Sequence, residues 1–284
     1  MLRTNRDKLP IVSVQGQVWH PKFRMEGNMT PDGQIMWVQG VGGITYNAKI
    51  GDCCNGWVAD HLEPGVTTRN PDERQNNAYV CFSCIGNTAV VKSGDAKGAK
   101  GIVTGKHGGC EHLMVYFPQD VLEKMSIDDK IGVYACGQGM ALLDHPEVVL
   151  RNMGPELLEK MNITEDGEKL KVGVAKIVPA CVMGSGLGCG NSASGDYDIT
   201  LFDEKMTEEY GLADLRFGDI VAILDADTRY GRTYRGGAVT IGVIIHGDSS
   251  LSGHGPGVTT LMSCKTTLIE PVIDEKANLA DLFL

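Results

Sequence analysis

The chain has 284 residues, 42% of them apolar, enough for one large domain or two modest ones with a real hydrophobic core and no need of disulfide staples. Its net charge is −10 with no basic block, which argues against nucleic-acid binding, because counterion release needs a basic face. No run approaches the roughly 18 apolar residues of a membrane span, and the opening MLRTNRDKLPIVSVQG has no apolar signal core, so the expectation is a cytoplasmic protein without membrane contact.

The 37 glycines favour short strands and tight turns over long helices. From the N-terminus, IVSVQGQVW reads as a strand, and MWVQGVGGITYNAKIG as a hairpin around Gly42-Gly43. Trp57–Ala59 reads as an apolar strand ending in Asp60, His61 and Glu63, where Pro64-Gly65 force a turn. TTRNPDERQNN reads as an exposed loop and YVCFSCIGNTAVVKSG as strand, turn, strand. On a strand Cys81 and Cys84 of CFSC point to opposite faces, which favours core packing over zinc. The glycines of SGDAKGAKGIVTGKHGG suit a small twisted barrel. EHLMVYF reads as a strand, PQDVLEKMSIDD as a short helix and KIGVYACGQGMAL as a strand.

DHPEVVLRNMGPELLEKMNI carries Leu150, Met153, Leu157, Leu158 and Met161 at helical spacing, with Pro155 splitting the helix. Strands return in KVGVAKIVPACVMGSGLG, DYDITLF, FGDIVAILDAD, GGAVTIGVIIHG and GVTTLMSC, and EKMTEEYGL reads as a short helix. The sum is a mainly β (β-rich α+β) protein: two glycine-rich β-barrel or sandwich modules, 1–143 and 171–284, joined by a helical connection at 144–170. Many short strands leave edges to cover, so a homo-oligomer is expected.

Chemistry concentrates in four places. His61 and Glu63 share one face of the first candidate strand, and N/O ligands suit zinc, manganese or iron. Lys106-His107-Gly108-Gly109-Cys110-Glu111-His112 sets two histidines around a glycine pair and a cysteine. GLGCGNSASGDYD has a dinucleotide-like glycine spacing, but a strand rather than a helix follows, so a nucleotide fold is rejected. Its backbone, at Gly188 and Gly190, can still present N–H groups to an oxyanion, and Asn191, Asp196 and Asp198 lie on it or at its exit. Last, Asp225 and Asp227 precede Arg229, Arg232 and Arg235. His246-Gly-Asp248 and Gly253-His254-Gly-Pro-Gly follow them. Arg229, Arg232 and Arg235 either bind an anionic substrate group bidentately or neutralise the aspartates as surface pairs.

Three of these stretches, AKGAKGIVTGKHGG, GSGLGCGNSASGDYDI and LRFGDIVAILDADTRYGRTYRGGAVTIGVIIHGDSSLSGHGPGVT, resemble the signature stretches of a prokaryotic family of unknown function, family 4438. The resemblance runs from ADHLEPGV onward and implies a two-part, mainly β structure. A second likeness joins Gly190-Asn191 with Asp198, His246-Gly247-Asp248 and Gly253-His254-Gly255. These are similar in style to the loop and strand-end motifs of acetamidase/formamidase enzymes, β-rich metal-dependent amide hydrolases.

The resulting expectation is a metal-dependent hydrolase acting on a small amide, imide or related C–N bond. His246, His254, His61 and His107 would bind a divalent metal ion (zinc, manganese or iron). Asp248 or Glu63 would take a proton and Asn191 would join the catalytic set, with Gly188, Gly190, Arg229 and Arg235 binding the substrate. A non-catalytic binding protein for a small anionic metabolite is the alternative. A metal-free thiol enzyme using Cys110 or Cys189 is a third.

Overall fold

The computed structural model describes residues 2–21, 28–36 and 41–284. In chain order its strands are β1 (Val12–Val18), β2 (Asn28–Met29), β3 (Ile35–Met36), β4 (Ile44–Thr45), β5 (Gly65–Arg69), β6 (Thr88–Val91), β7 (Lys100–His107), β8 (His112–Tyr116) and β9 (Lys130–Ala135), then β10 (Val149–Leu150), β11 (Ile163–Asp166), β12 (Lys169–Val174), β13 (Lys176–Pro179), β14 (Ile220–Asp227), β15 (Thr233–Ile244), β16 (Val258–Cys264) and β17 (Ile269–Ile273). The helices are α1 (Glu73–Phe82), α2 (Gln119–Leu122), α3 (Pro155–Lys160), α4 (Glu204–Glu209) and α5 (Leu279–Phe283). None is long and apolar enough to cross a membrane.

Six antiparallel strands close into a barrel in the order β1-β9-β6-β7-β8-β5, since β5 pairs back onto β1 through Gln17–Arg69 and Val18–Thr68. Closure removes the open edges that short strands otherwise expose. The barrel is filled by Val18, Val66, Val103, Leu113, Val115, Ile131 and Val133, all essentially inaccessible to solvent. A second sheet runs β10-β16-β15-β14-β13 and a third β11-β12-β17. The β14–β15 hairpin is irregular at Asp225, whose backbone is left-handed (φ 57°) and whose carboxylate accepts from Gly237 N at 2.7 Å.

The β-rich class, the barrel suited to its glycines, and most of the expected strands are present. Four local expectations are corrected. TTRNPDERQNN is not a loop nor the following AYVCF a strand: Thr67–Arg69 end β5, and Glu73–Phe82 form α1. Asp72 caps that helix by accepting from Gln75 N at 2.9 Å, and Ser83 stops it. Asn76, Tyr79 and Val80 face inward, a stripe too short to betray helical periodicity. Trp57–Ala59 is irregular rather than a strand, and so is DYDITLF, where Asp198 and Ile199 make only isolated bridges to Gly257 and Met183. In the stretch expected to be helical only Pro155–Lys160 is so, because Pro155 can start a helix at its first position but cannot lie inside one. Leu150 belongs instead to β10. The hairpin expected around Gly42-Gly43 falls partly on 37–40, outside the described residues.

Barrel and second sheet are joined side by side. Gly105 on β7 is a glycine because Ile245 packs where a side chain would start, 2.7 Å from the ideal Cβ position. Next to it, Thr259 Oγ1 on β16 accepts from Lys106 N at 3.2 Å and donates to Lys106 O at 3.1 Å. Lys106 itself is fully buried and donates to Asn152 Oδ1, Ala193 O and Cys81 O at 2.7, 2.8 and 3.2 Å. Those bonds tether the 191–195 loop to the barrel.

Candidate metal centre

The chemistry gathers at this seam. β7 ends on His107 and β8 begins on His112, opposite each other across the Gly108–Glu111 turn. Cross-strand partners share a face. The irregular 60–63 segment is held against the exit of β15 by His61 N to Asp248 O (3.0 Å) and Gly247 N to Leu62 O (2.8 Å). His61 takes a left-handed backbone (φ 51°), a conformation an L-residue rarely adopts without being held in it. His246 closes the strand path of β15, and Asp196 and Asp198 enter from the glycine-rich loop, two residues apart.

Five of the chain's seven histidines therefore converge. The rings of His107 and His246 lie 4.2 Å apart between centroids, His61 and His246 4.9 Å, and His61 and His254 5.0 Å. His61 Nε2 faces His254 Nδ1 at 3.0 Å, and Asp198 Oδ2 lies 3.1 Å from the latter and 3.7 Å from the former. Asp60 Oδ2 holds His61 Nδ1 at 3.1 Å. Behind His107, Glu63 is wholly buried. It receives His107 Nδ1, the Thr67 hydroxyl, and His112 Nδ1 at 3.1 Å. With Nδ1 committed, the nitrogen left to His107 is Nε2.

His246 has no accessible surface. Its Nδ1 must donate to Gly247 O at 2.8 Å, since a carbonyl only accepts. The Nε2 lone pair then faces Asp196 Oδ2 at 2.7 Å, a contact made attractive only by a cation between them, a proton or a metal ion. Gly257 is what allows this pair: the ideal position of a Cβ on it is 2.1 Å from Asp196 Oδ2 and 2.3 Å from His246 Nε2.

Electrostatics follow from the crowding. Burial alone would discharge His61, but hydrogen bonds to Asp198 and Asp60 outweigh it and hold the ring up at about 9. His112 reaches about 9 against burial through the charge of Glu63 and contacts with Cys110 and Glu63. Glu63 and Asp198 would be raised by burial, yet their histidine partners hold both well below the usual carboxylate range. Cys110, also opposed by burial, is drawn down to about 7, chiefly by His107.

Four overlapping donor sets could hold a metal ion: Glu63, His107, Cys110 and His112; His61, His107 and His246; His61, Asp198 and His254; and Asp196, Asp198 and His246. Within each, the ligand atoms lie within 4.8 Å of one another, and the mix of imidazole, carboxylate and thiolate suits borderline divalent ions. Cys81 and Cys84 of CFSC belong to none of them.

The sets open onto a cavity of about 340 Å³ lined by Asp60, His61, His107, Asp196, Asp198 and His254, with the glycine-rich loop as its far wall. Of the residues singled out in the sequence, His61, His107, His246 and His254 come together, with Glu63 behind them. Asn191 and Cys189 line the cavity, whereas Asp248, Gly188 and Gly190 do not. Asp248 sits beside the 60–63 segment, accepting from Ser249 N at 2.8 Å. Arg229 and Arg235 both turn to Asp227, at 2.8 and 2.9 Å, away from the cavity; the arginine on its wall is Arg232. Asp196 and Asp198 were left out of the expected ligand set. Their period-two spacing, which puts both carboxylates on one side, was the available signal. His112, read in the sequence only as a neighbour of His107, is a ligand candidate through the same turn.

A mainly β fold built around a buried His/Asp/Glu/Cys cluster is thus the class to which the chain is assigned. Family models described as "Domain of unknown function (DUF4438)" match it over residues 28–159 for the N-terminal domain and 160–283 for the C-terminal domain. The chain belongs to the DUF4438 family. It is similar to a solved structure, the crystal structure of TM1086, at 45% identity and a TM-score of 0.94, over 100% of this chain and 99% of that one. No curated protein matches. The likeness to acetamidase/formamidase enzymes finds no support in these comparisons.

Proposed function

We propose that this protein is a metal-dependent hydrolase acting on a small amide, imide or related C–N bond. The observation that carries the reading is the buried His246, whose Nε2 lies 2.7 Å from Asp196 Oδ2 in a donor set that Asp198 completes. It stands among three further imidazoles, His61, His107 and His254, beside an open cavity. A purely structural site would be closed; catalytic sites leave room for substrate and water.

A divalent ion held by His61, Asp198 and His254, or by Asp196, Asp198 and His246, would polarise a carbonyl and bring the pKa of water toward about 7. The chain's own residues supply the rest. Asp60 and Glu63 fix the ring orientations of His61 and His107 through their Nδ1 atoms, which is how such ligands are commonly held. Glu63 is saturated by its three partners, and neither it nor Asp248 reaches the cavity. Asp60 and Glu111 are the cavity carboxylates outside the donor sets, and we assign the proton from water to Asp60, the one of the two that sits against His61. On the far wall Asn191, Ser194 and Gly195 line the cavity and would be the neighbours of an oxyanion.

Elemental analysis of the untagged protein tests this directly. Near one divalent ion per chain is expected, lost in His246→Ala and in Asp198→Asn, with chelation abolishing hydrolysis in a screen of small amides and cyclic imides. A metal-free protein whose properties ignore chelators would end the proposal.

A further inference from the structure

We infer that the molecule bound in this cavity carries a carboxylate or equivalent anion, and that Arg232 is the residue that receives it. Placing the reacting bond of that molecule at the histidines rests on the hydrolase reading above; the anion site itself does not.

Arg232 is only 4% exposed and lines the same cavity as His61 and Asp198. A guanidinium does not lose its charge in a protein, so burying one requires a partner. Nη2 of Arg232 donates to Ser194 O at 3.0 Å, and its buried Nε–H has no acceptor among the described residues. Among the described residues no carboxylate lies within ion-pair distance of it. The contrast is local. Arg229 and Arg235, three residues to either side, both sit on Asp227, and Arg216 sits on Asp219. The nearby acids offer nothing, since Asp196 is committed to His246 and Gly108 N, and Asp198 to His254.

The group is also rigidly mounted. Arg232 N donates to Cys189 O and its carbonyl accepts from Gly188 N, both at 2.8 Å. Gly231 lets this pairing close, for the ideal position of a Cβ on it is 2.8 Å from Cys189 O. Ser194 and Asn191, joined by an Asn191 Nδ2 to Ser194 Oγ bond of 3.0 Å, add a hydroxyl and an amide to the same wall. A rigidly mounted guanidinium on a cavity wall, with one N–H held by a carbonyl and no carboxylate beside it among the described residues, is suited to receive a carboxylate. A volume of about 340 Å³ is at the small end of ligand sites, roughly 300–1,000 Å³, so the molecule is a small metabolite.

The probes are succinate, succinamate and its neutral isostere succinamide, titrated calorimetrically into the full-length protein with and without added zinc, alongside Arg232→Met and Arg232→Lys. The two anions should bind the wild type and raise its Tm, and succinamide should bind more weakly. Arg232→Met should lose anion affinity by more than about tenfold while keeping its metal content, and its ligand-free Tm should equal or exceed that of the wild type, since an unpaired buried charge has gone. Arg232→Lys should fall between the two. Equal anion binding by wild type and Arg232→Met, or no anion binding by the wild type, would overturn the inference. Arg232-dependent binding by a protein that takes up no metal would leave the anion site standing and remove the hydrolase.

Discussion

At the scale of single residues the centre depends on what is missing as much as on what is present. Gly257 has no side chain because Asp196 and His246 occupy its place. Gly257→Ala should cost about 1–3 kcal/mol through overpacking, read from denaturant unfolding, and should lower metal occupancy by elemental analysis. Gly190, on the loop but with nothing within 4 Å of a Cβ position, is the contrast. Gly190→Ala should leave stability within about 0.5 kcal/mol. Both were glycines in glycine-rich motifs, and the sequence offers no way to tell them apart. One is a packing requirement at the His246–Asp196 pair and the other an exposed turn.

At the scale of elements, legibility followed the length of the apolar pattern. β14, β15 and β16 are buried along long β-branched runs, and their strands were evident. α1 was not, because it buries only three side chains and one of them is an asparagine. Its real signature was Asp72 with Gln75 three residues on, a capping pattern inside what composition presents as loop. Asp72→Ala should cost about 0.5–2 kcal/mol, seen as a lowered Tm. The helix sets Tyr79 into the barrel against Gly16, so the loss reaches the barrel wall. The site was legible where histidines cluster in sequence, as at 107–112 and 246–254. It was illegible where partnership is purely spatial, as for Asp198 with His61, 137 positions apart in the chain and 3.7 Å apart in the fold.

For the whole molecule, the proposed metal would compete with protons for the same atoms. In metal-free protein His61 and His112 are held at about 9, above the ordinary value of 6.5. Their contribution to stability is therefore complete below about pH 6.5 and lost as the pH rises through 9. Uptake of the proposed metal would have to displace those protons, so its affinity would move the opposite way and strengthen across the same window. Competition with a chelator at pH 6.5 and pH 9, and calorimetry in buffers of different ionisation heat, should show tighter binding at the higher pH and net proton release.

The seam between barrel and second sheet carries one more consequence. His61 and His254 are 193 positions apart, and two of the four donor sets draw on both halves of the chain. An ion shared by them is a cross-link, reversible and removable by a chelator, that ties the two halves as a long-range disulfide would. At a hundred times its dissociation constant it would add about 2.7 kcal/mol to folding, all of it spanning that seam. Stripped of metal, the protein would be most easily cleaved by proteases between its halves, and restoring the ion would close the cut site again.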